Sequence, residues 1–202
     1  MELIGLLGHQ GVGKNYIAEV VLNKILPKKN TVVLAFADHF KVDCITKHNA
    51  SYDKIFGEKD YDTRRLLQRV GTEDGRLKFG EDIWIQTVAT WIKLLHSRGV
   101  ERFIISDVRY QNEATWIKSL NGIIIKIESP MRFRQRLIKE TNNDEDKINE
   151  IMNHSSEKSL DEINNFDYCV NNDPFSKDEL LIRNKVSIDS NVENDLINFF
   201  SL

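Results

Sequence analysis

The feature that most constrains the fold is a glycine-rich stretch near the amino terminus. It follows an apolar run, residues 3–7, which predicts a buried strand. The stretch reads Gly8-His9-Gln10-Gly11-Val12-Gly13-Lys14 and has the spacing G-x-x-x-x-G-K. A helical pattern follows at once, with Ile17, Val20 and Val21 on one face. A strand, a glycine-rich loop and a helix in this order predict a phosphate-binding loop and disfavour an ordinary turn before a helix.

The residue types in this loop suit a phosphate. Glycine lets backbone N–H groups turn inwards around an anion, and the N-terminus of the following helix adds a partial positive charge. Lys14 can reach the β- and γ-phosphates of a nucleotide as a mobile cation. The residues predicted to contact these phosphates are Gly8, Gly11, Val12, Gly13, Lys14, Asn15 and Tyr16.

The position after the lysine departs from the common form of this loop. That position usually holds a serine or threonine, whose hydroxyl ligates Mg²⁺. Here it holds Asn15. An amide oxygen can approach a metal directly or through water, but it makes a weaker case for a ligand. The sequence therefore predicts phosphate binding more strongly than it predicts a direct metal ligand.

Composition limits the classes of function. The 202 residues, 41% of them hydrophobic, suffice for one α/β domain with a sizeable core. The net charge of −3 argues against nucleic-acid binding, which needs a basic surface. Cys44 and Cys169 form neither a metal-ligand spacing nor a disulfide framework, so a reducing, cytoplasmic setting is expected. No signal peptide precedes the first strand and no apolar run approaches about 20 residues, so no membrane partner is expected.

Strands and helices are predicted to alternate along the chain. Apolar runs predict further strands at residues 31–37, 102–106, 123–127 and 166–170. Helical patterns predict helices at residues 39–47, 82–97 and 111–120, and another from Asp62 or Thr63 to Gly71. Residues 48–60 and the segment with Gly75 and Gly80 are predicted to be loops. The tail from residue 177 is predicted to be partly helical, with residues 195–200 docking an apolar face.

This alternation predicts a parallel sheet of the P-loop NTPase type, flanked by helices on both faces, in a single domain over residues 1–202. Residues 130–165 are less apolar and more charged, and we expect them to form a mobile helical lid over a site. Ligands bind at the carboxyl ends of parallel strands. Asp38, Asp107 and the glycine-rich loop all follow predicted strands, so they should converge.

A second candidate cluster follows the strand at residues 102–106. Asp107 could hold a metal shell or the attacking group, as an acid does at this place in phosphate-loop proteins. Arg109 could fork onto a phosphate, and Glu113, one helical turn further, could orient it. The alternative interpretation is a helix-capping Asp107 with Arg109 and Glu113 as a surface pair.

Two groups of arginines could bind further anions. Arg64 and Gln68 share a helix face, next to Arg65 and near Thr72, which suits a nucleotide because a cation binds phosphate and an amide can read a base edge. A solvated helix face explains that group equally well. Arg132 and Arg136 share a face in the predicted lid, where closure would bring them to a transferring phosphoryl group. A merely solvated charged helix is the alternative there.

The aromatic residues and the remaining histidine give weaker signals. Trp84 follows the segment with Gly80 and is a candidate for stacking on a base, with packing as its rival. Trp91 and Trp116 are expected to pack in the core or at its rim. His154 has no partner at metal-ligand spacing, so no metal is assigned to it.

Several blocks, in the same order, resemble the phage and viral deoxynucleoside monophosphate kinases of the P-loop nucleoside monophosphate kinase superfamily. They are residues 8–14, 36–38 with Lys41, 64–73, 82–85, and 106–113 with Asp107-Val108-Arg109 and Glu113. His154-Ser155-Ser156-Glu157 and Asn171-Asn172-Asp173 resemble that family's final segment. Block 64–73 and Asp107-Val108-Arg109 are the specific parts. Asn15 departs from the family, which more often has an acidic or hydroxyl residue there, and the last thirty residues add nothing to the match.

The resemblance implies ATP-dependent phosphorylation of a (deoxy)nucleoside monophosphate to its diphosphate, with Mg²⁺ as cofactor. The residues predicted to act in catalysis are Lys14, Asp107, Arg109, Arg132 and Arg136. Those predicted to bind the acceptor are Asp38, Lys41, Arg64, Arg65, Gln68, Thr72, Trp84, Arg109 and Glu113. Asn15 and Asp107 are the predicted metal contacts, directly or through water. The expected partners are small-molecule nucleotides, with a homodimer left open, and the expected location is the cytoplasm, that of the host for a virus.

Two other functions fit part of the same pattern. One is another small P-loop kinase that acts on phosphomevalonate, dephospho-coenzyme A or a similar metabolite. The other is a nucleotide-binding module that regulates a partner without turnover. Arg64, Arg65 and Arg109 argue against that module, because it needs no second anion site. The base and the sugar of the acceptor are not determined by the sequence.

Overall fold

A parallel sheet forms the centre of the structure, a computed structural model that describes residues 1–173 and 190–201. Its order is β2-β3-β1-β4-β5, and all neighbouring strands within the described residues are parallel. The strands are β1 (Glu2–Leu7), β2 (Thr31–Leu34), β3 (Arg102–Val108), β4 (Ile123–Glu128) and β5 (Tyr168–Asn171). The inner strands are buried almost throughout, as in sheets covered on both faces. The predicted fold class is confirmed.

The helices connect the strands and cover the sheet. Helix α1 spans residues 14–25, with a π-helical turn (Ile17–Val21) between α-helical ends (Lys14–Tyr16 and Leu22–Ile25). The others are α2 (Asp38–His48), α3 (Tyr52–Phe56), α4 (Tyr61–Gly71), α5 (Ile83–Ser97), α6 (Gln111–Ser119), α7 (Pro130–Thr141), α8 (Glu145–Asn153), α9 (Ser155–Lys158) and α10 (Ser190–Phe200). A π-helical turn (Thr72–Arg76) and a short helix (Leu77–Phe79) extend α4, and a 3₁₀ turn (Ser159–Glu162) extends α9.

Each face of the sheet buries its own core. On one face α5 and α6 pack Val88 and Ile117 against β3. On the other face α1 and α10 pack Ile17 and Leu196 against β1. The predicted docking of the last helix is confirmed, although the helix begins earlier than residue 195, and residues 177–189 lie outside the described residues. A third, smaller core joins α2, α3 and α4 around the fully buried Ile55.

Three local predictions are wrong. Helix α4 is capped by Asp60, not by Asp62 or Thr63: the Asp60 side chain accepts the Thr63 N–H at 2.9 Å. Residues 48–60 contain helix α3, whose one buried residue, Ile55, gives no periodic signal. The segment around Gly75 is not a loop but the helical extension of α4. The Trp84 ring lies where a side chain at Gly75 would be, so the helix backbone packs directly on the ring.

Strand β3 runs two residues further than predicted and contains an irregularity that positions the site. Gly5 pairs with Ile105 but Leu7 pairs with Val108, so two residues of β3, Ser106 and Asp107, face one residue of β1. Such bulges re-aim side chains at the ends of strands. Here the Asp107 carboxylate reaches the turn after β2.

The predicted lid segment forms α7, α8 and α9, and it contacts the glycine-rich loop through α7. A Cβ atom at Gly11 would lie 2.8 Å from Cβ of Arg136. Leu137, Ile151 and Leu160 anchor the segment by burial. Its mobility stays a prediction. No helix among the described residues is long and apolar enough to cross a bilayer.

Candidate functional site

The glycine-rich loop joins β1 to α1 at the carboxyl edge of the sheet. Gly13 has φ of 96°, in the left-handed region, and a Cβ atom there would lie 2.5 Å from Nδ2 of Asn172. That amide in turn donates to the Val12 carbonyl at 2.7 Å. Only glycine fits at position 13, because the backbone there has a positive φ and leaves no room for a side chain. The loop is therefore packed against the segment that follows β5.

Lys14 bends back across this loop. Its Nζ donates to the carbonyl oxygens of Gly8 at 2.5 Å and His9 at 2.6 Å, and the residue is 7% exposed. Burial and the nearby Arg109 lower the pKa of Lys14 to about 7, against the opposing pull of Glu157 and Asp107. A phosphate in the loop would restore the charge of this buried ammonium.

Asp107 joins β3 to the turn after β2. Its two carboxylate oxygens accept the backbone N–H groups of Phe36 at 2.7 Å and Ala37 at 3.0 Å. Burial raises the pKa of Asp107, while Lys41 and these two amides oppose the rise. Each oxygen keeps a lone pair that a water molecule could use. The residue thus fixes the wall of the site and presents a carboxylate edge to it.

Arg109 is held by a residue from a distant part of the chain. Its Nη1 donates to Glu157, which is 3% exposed and whose other oxygen lies 2.8 Å from Nδ1 of His9. Burial alone would raise the pKa of Glu157, but Arg109 and the His9 hydrogen bond outweigh it and lower that pKa to about 2. The His9 ring also stacks on Phe133 of α7, with centroids 4.5 Å apart. The glycine-rich loop, the end of β3, α7 and α9 are thereby tied together.

Glu113 holds the backbone of Arg109, as a residue that orients Arg109 could, but it does not pair with the Arg109 guanidinium. Glu113 lies in the first turn of α6, so its side chain folds back and accepts the backbone N–H groups of Arg109 at 2.7 Å and Tyr110 at 3.1 Å. Its other oxygen pairs with the buried Arg76. Burial raises the pKa of Glu113 to about 7, although Arg76 opposes the rise. Glu113 therefore caps a helix and fixes Arg76, while Glu157 holds Arg109.

A second cationic cluster faces the loop from α2, α4 and α7. Arg64 makes two hydrogen bonds to Glu140, at 2.8 and 3.2 Å, and Arg136 pairs with the same carboxylate at 2.6 Å. Lys41 pairs with Asp38 at 3.0 Å. Burial together with Arg64 and Lys41 lowers the pKa of Lys59 to about 8. Burial is the larger cause, and the contribution of the neighbouring cations is what an anion site requires.

The loop and this cluster line one cavity of about 400 Å³. Of the predicted residues it is lined by Gly11, Gly13, Lys14, Asn15, Tyr16, Lys41, Arg64, Gln68, Thr72, Trp84, Asp107, Arg109, Glu113 and Arg136. The Trp84 indole is 6% exposed, donates to the Gly71 carbonyl at 2.8 Å and lies 5.0 Å from the Phe40 ring. Trp84 therefore packs as part of the wall, and a stacking role for it stays a prediction.

Five predicted residues lie outside the lining of this cavity. Gly8 and Val12 are buried beneath the loop and contribute backbone only. Asp38 turns back to accept the Ala35 N–H at 2.8 Å. Arg65 lies on the outer side of α4 and pairs with Glu150 at 3.0 Å, because it is rotated about 100° from Arg64 on the helix. Arg132 donates from Nε to the Asn172 carbonyl at 2.8 Å. For Arg65, direct contact with an acceptor in this cavity is contradicted.

Some residues of the site carried no local signal in the sequence. Gln10, Lys59 and Arg76 line the cavity, and Glu140 holds two of its arginines. Glu157 was visible only within the block His154-Ser155-Ser156-Glu157. A pair such as Arg64–Glu140 joins residues 76 apart in the chain, so neither spacing nor periodicity reveals it.

The arrangement can hold two anionic groups face to face. One would lie in the glycine-rich loop with Lys14, and the other beside Lys59, Arg64 and Arg109. Among the described residues no group of three or more His, Cys, Asp and Glu side chains could hold a metal by itself. Two facing anion sites are what transfer of a phosphoryl group between two phosphates requires.

Comparison with known proteins gives one relative by sequence. A protein of Acanthamoeba polyphaga mimivirus named "Putative deoxynucleotide monophosphate kinase" is 30% identical over 149 residues, which cover 64% of this chain and 75% of the relative. No family model matches the chain. Among solved structures, a shikimate kinase from Aquifex aeolicus (14% identity, TM-score 0.41, 98% and 96% of the two chains) and a sugar kinase from Janibacter (14%, 0.44, 91% of each) are similar. At these scores the two structures support no functional conclusion.

Proposed function

The chain belongs to the deoxynucleotide monophosphate kinase family, and on that premise we propose that it transfers the γ-phosphoryl group of ATP to a (deoxy)nucleoside monophosphate. The products are ADP and the nucleoside diphosphate. The observation that carries the proposal is the single cavity with a phosphate loop at one wall and a second cationic cluster at the other. A nucleotide-binding module without turnover would need only the phosphate loop.

The donor is assigned to the glycine-rich loop. Its backbone N–H groups and the start of α1 would bind the β- and γ-phosphates, and Lys14 would leave the carbonyls of Gly8 and His9 to bridge them. Arg136 lies against Gly11, so its positive charge could stabilise the negative charge that spreads over the oxygens of the transferring phosphoryl group. These residues would bind and orient the donor phosphates, and positioning and charge stabilisation provide most of the catalysis of phosphoryl transfer.

The acceptor is assigned to the space between α4 and the end of β3. Its phosphate carries nearly two negative charges and needs cations on the side away from ATP. Arg64 and Arg109 line this space, and Lys59 adds to the positive potential. Gln68 and Thr72, further along α4, would then face the sugar and the base. Asp107 would orient the attacking oxygen through a bridging water or the magnesium shell, because that oxygen at neutral pH has little proton to donate.

The residues present fit a magnesium ion that arrives with the nucleotide. Mg²⁺ in such sites keeps several waters and takes one or two protein oxygens besides the phosphates. Asn15 is exposed directly after Lys14, and Asp107 has unused lone pairs. These two would contact the ion, Asp107 through water. When bound, the ion neutralises charge on the β- and γ-phosphate oxygens.

A coupled ATP-to-ADP assay tests the proposal. The panel should contain all common ribo- and deoxynucleoside monophosphates, with phosphomevalonate and dephospho-coenzyme A as rival acceptors. We expect turnover on the order of 1–100 s⁻¹ with at least one monophosphate. ADP formation that no monophosphate increases would contradict the proposal, and turnover with either metabolite alone would favour the rival. Gel filtration tests whether the protein forms a homodimer, which the sequence leaves open. We expect the enzyme to act in the cytoplasm, and in the host cytoplasm if the protein is viral.

The lid prediction can be tested at Arg136. We expect Arg136→Met to lower kcat by about 10²–10³-fold and to change the KM for the monophosphate far less, because this cation would act mainly on the transferring group. Arg134→Met is the matched control, since Arg134 is exposed on the same helix. Arg132→Met should also lower kcat more than it raises KM. Equal losses in Arg136→Met and Arg134→Met would contradict the assignment.

The lowered pKa of Lys14 predicts proton uptake on binding of the donor. With a pKa of about 7, Lys14 is protonated at pH 6 and largely neutral at pH 8 in the free protein. A triphosphate favours the charged form, so a non-hydrolysable ATP analogue should take up nearly one proton at pH 8 and almost none at pH 6. Calorimetry in two buffers of different ionisation enthalpy measures this number. Lys14→Met should take up none, and uptake equal to wild type in that variant would contradict the prediction.

A further inference from the structure

Resting on the proposed function, we propose that Gln10 determines specificity by binding the acceptor's sugar hydroxyl next to its phosphate. Gln10 lies inside the glycine-rich loop, is 4% exposed and lines the cavity. Neither its Oε1 nor its Nε2 has a hydrogen-bond partner. A buried amide without partners is costly, so its place in the cavity wall indicates a group that a ligand supplies.

The distribution of such atoms supports this reading. Among the described residues, the buried side-chain atoms without a partner are both amide atoms of Gln10, both of Gln68, and Nη2 of Arg102. Gln10 and Gln68 line the same cavity, whereas Arg102 begins β3 at the opposite edge of the sheet. The unpaired atoms therefore collect where the two nucleotides would lie, not in the packed cores.

The chemistry of an amide narrows what the ligand must offer. Nε2 of Gln10 needs an acceptor, which a phosphate oxygen supplies, but Oε1 needs a donor, which a phosphate at neutral pH does not supply. The neighbouring cations do not supply that donor. In this structure Lys14 donates to Gly8 and His9, and Arg109 and Arg136 pair with Glu157 and Glu140. With nucleotides bound, all three would turn to phosphate oxygens. The missing donor is therefore a group of the ligand close to its phosphate.

The acceptor carries such a donor on its sugar. With its phosphate held between Arg64 and Arg109 and its base towards Gln68, the sugar would lie in the same cavity that Gln10 lines. A 2′-deoxynucleoside 5′-monophosphate has one free sugar hydroxyl, at the 3′ position. That hydroxyl would donate to Oε1 of Gln10, while Nε2 donates to a phosphate oxygen. A site built to hydrogen-bond a hydroxyl strongly rejects the analogue that lacks it, because its own polar groups are then left unpaired.

The test compares the best deoxynucleoside monophosphate with its 2′,3′-dideoxy analogue. In the wild type we expect loss of the hydroxyl to lower kcat/KM by about 30-fold or more. In Gln10→Met, which keeps the volume but cannot hydrogen-bond, the same comparison should give about threefold or less. Gln68→Met is the matched control: it should keep the large wild-type ratio while its discrimination between bases changes.

The outcomes separate this inference from the proposed function. Wild-type turnover with no monophosphate would overturn both. Turnover with an equally large ratio in Gln10→Met and in the wild type would overturn the role of Gln10 alone. If Gln10→Met does not fold, the wild type decides, because a dideoxy analogue used as well as its deoxy parent would show that no protein group depends on the hydroxyl.

Discussion

Replacing Lys14 with alanine is expected to lower kcat by about 10²–10³-fold or more. Lys14 would bridge the transferring phosphates, and one such preorganised charge contributes several kcal/mol to the transition state. The substitution removes the ammonium that now binds the carbonyls of Gly8 and His9, while the hydrogen bond from Asn172 to the Val12 carbonyl still holds the loop. Stability should change little, because a buried cation with a pKa near 7 gains little from its surroundings.

The measurement for Lys14 is steady-state kinetics with both substrates at saturation, together with thermal unfolding. Lys24→Ala is the matched control, since Lys24 lies on the same helix, is exposed and pairs with Glu193. Near-normal kcat in Lys14→Ala would show that the donor phosphates lie elsewhere. A large loss in Lys24→Ala as well would show that α1 itself has been disturbed.

Charge reversal at Arg109 is expected to raise the KM for the monophosphate by about 100-fold or more and to leave ATP affinity nearly unchanged. Arg109 projects from the end of β3 into the space assigned to the acceptor phosphate. Removing one partner of a buried charge pair typically costs about 2–5 kcal/mol, and a carboxylate there would also repel the phosphate. Arg109→Glu additionally faces Glu157, its present partner.

Because that repulsion could unfold the site, Arg109→Gln is measured beside Arg109→Glu. The amide can still donate to Glu157, so folding should be kept, whereas the charge that the acceptor needs is lost. KM for each substrate and the binding of an ATP analogue separate the two sites. Weaker ATP binding with an unchanged KM for the monophosphate would show that the donor and acceptor sites have been assigned the wrong way round.

The central strands and the loop were accessible to sequence reasoning because their signals are local. β1, β3 and β4 are nearly uninterrupted apolar runs, as buried parallel strands must be. The glycine-rich loop combines fixed spacing with its flanking elements. Helix α3 and the extension of α4 gave no such signal, since Ile55 is the only buried residue of α3, and the packing of Gly75 on Trp84 is decided by tertiary structure.

The partners of the charged residues could not be read from the sequence. Arg109 pairs with Glu157, 48 residues away, and Arg64 with Glu140, 76 away. Glu113 is four residues from Arg109, so the sequence favours it as the partner of the Arg109 side chain. In the structure the Glu113 side chain caps α6 instead. Side-chain direction also decides between neighbours: Arg64 enters the cavity and Arg65 pairs outside it. Gln10 differs from an ordinary loop residue only through its burial without partners.

The tie between the glycine-rich loop and the distant part of the chain bears on the order of events during synthesis. β1 leaves the ribosome before β3 and β4, the two strands with which it pairs. His9 contacts Glu157, and the Val12 carbonyl accepts a hydrogen bond from Asn172, which directly follows β5. A nascent chain therefore cannot complete its nucleotide pocket until Asn172 has emerged. Nucleotide would then stabilise only chains in which β5 and Asn172 are already in place, and would not guide the early folding of β1 and the loop.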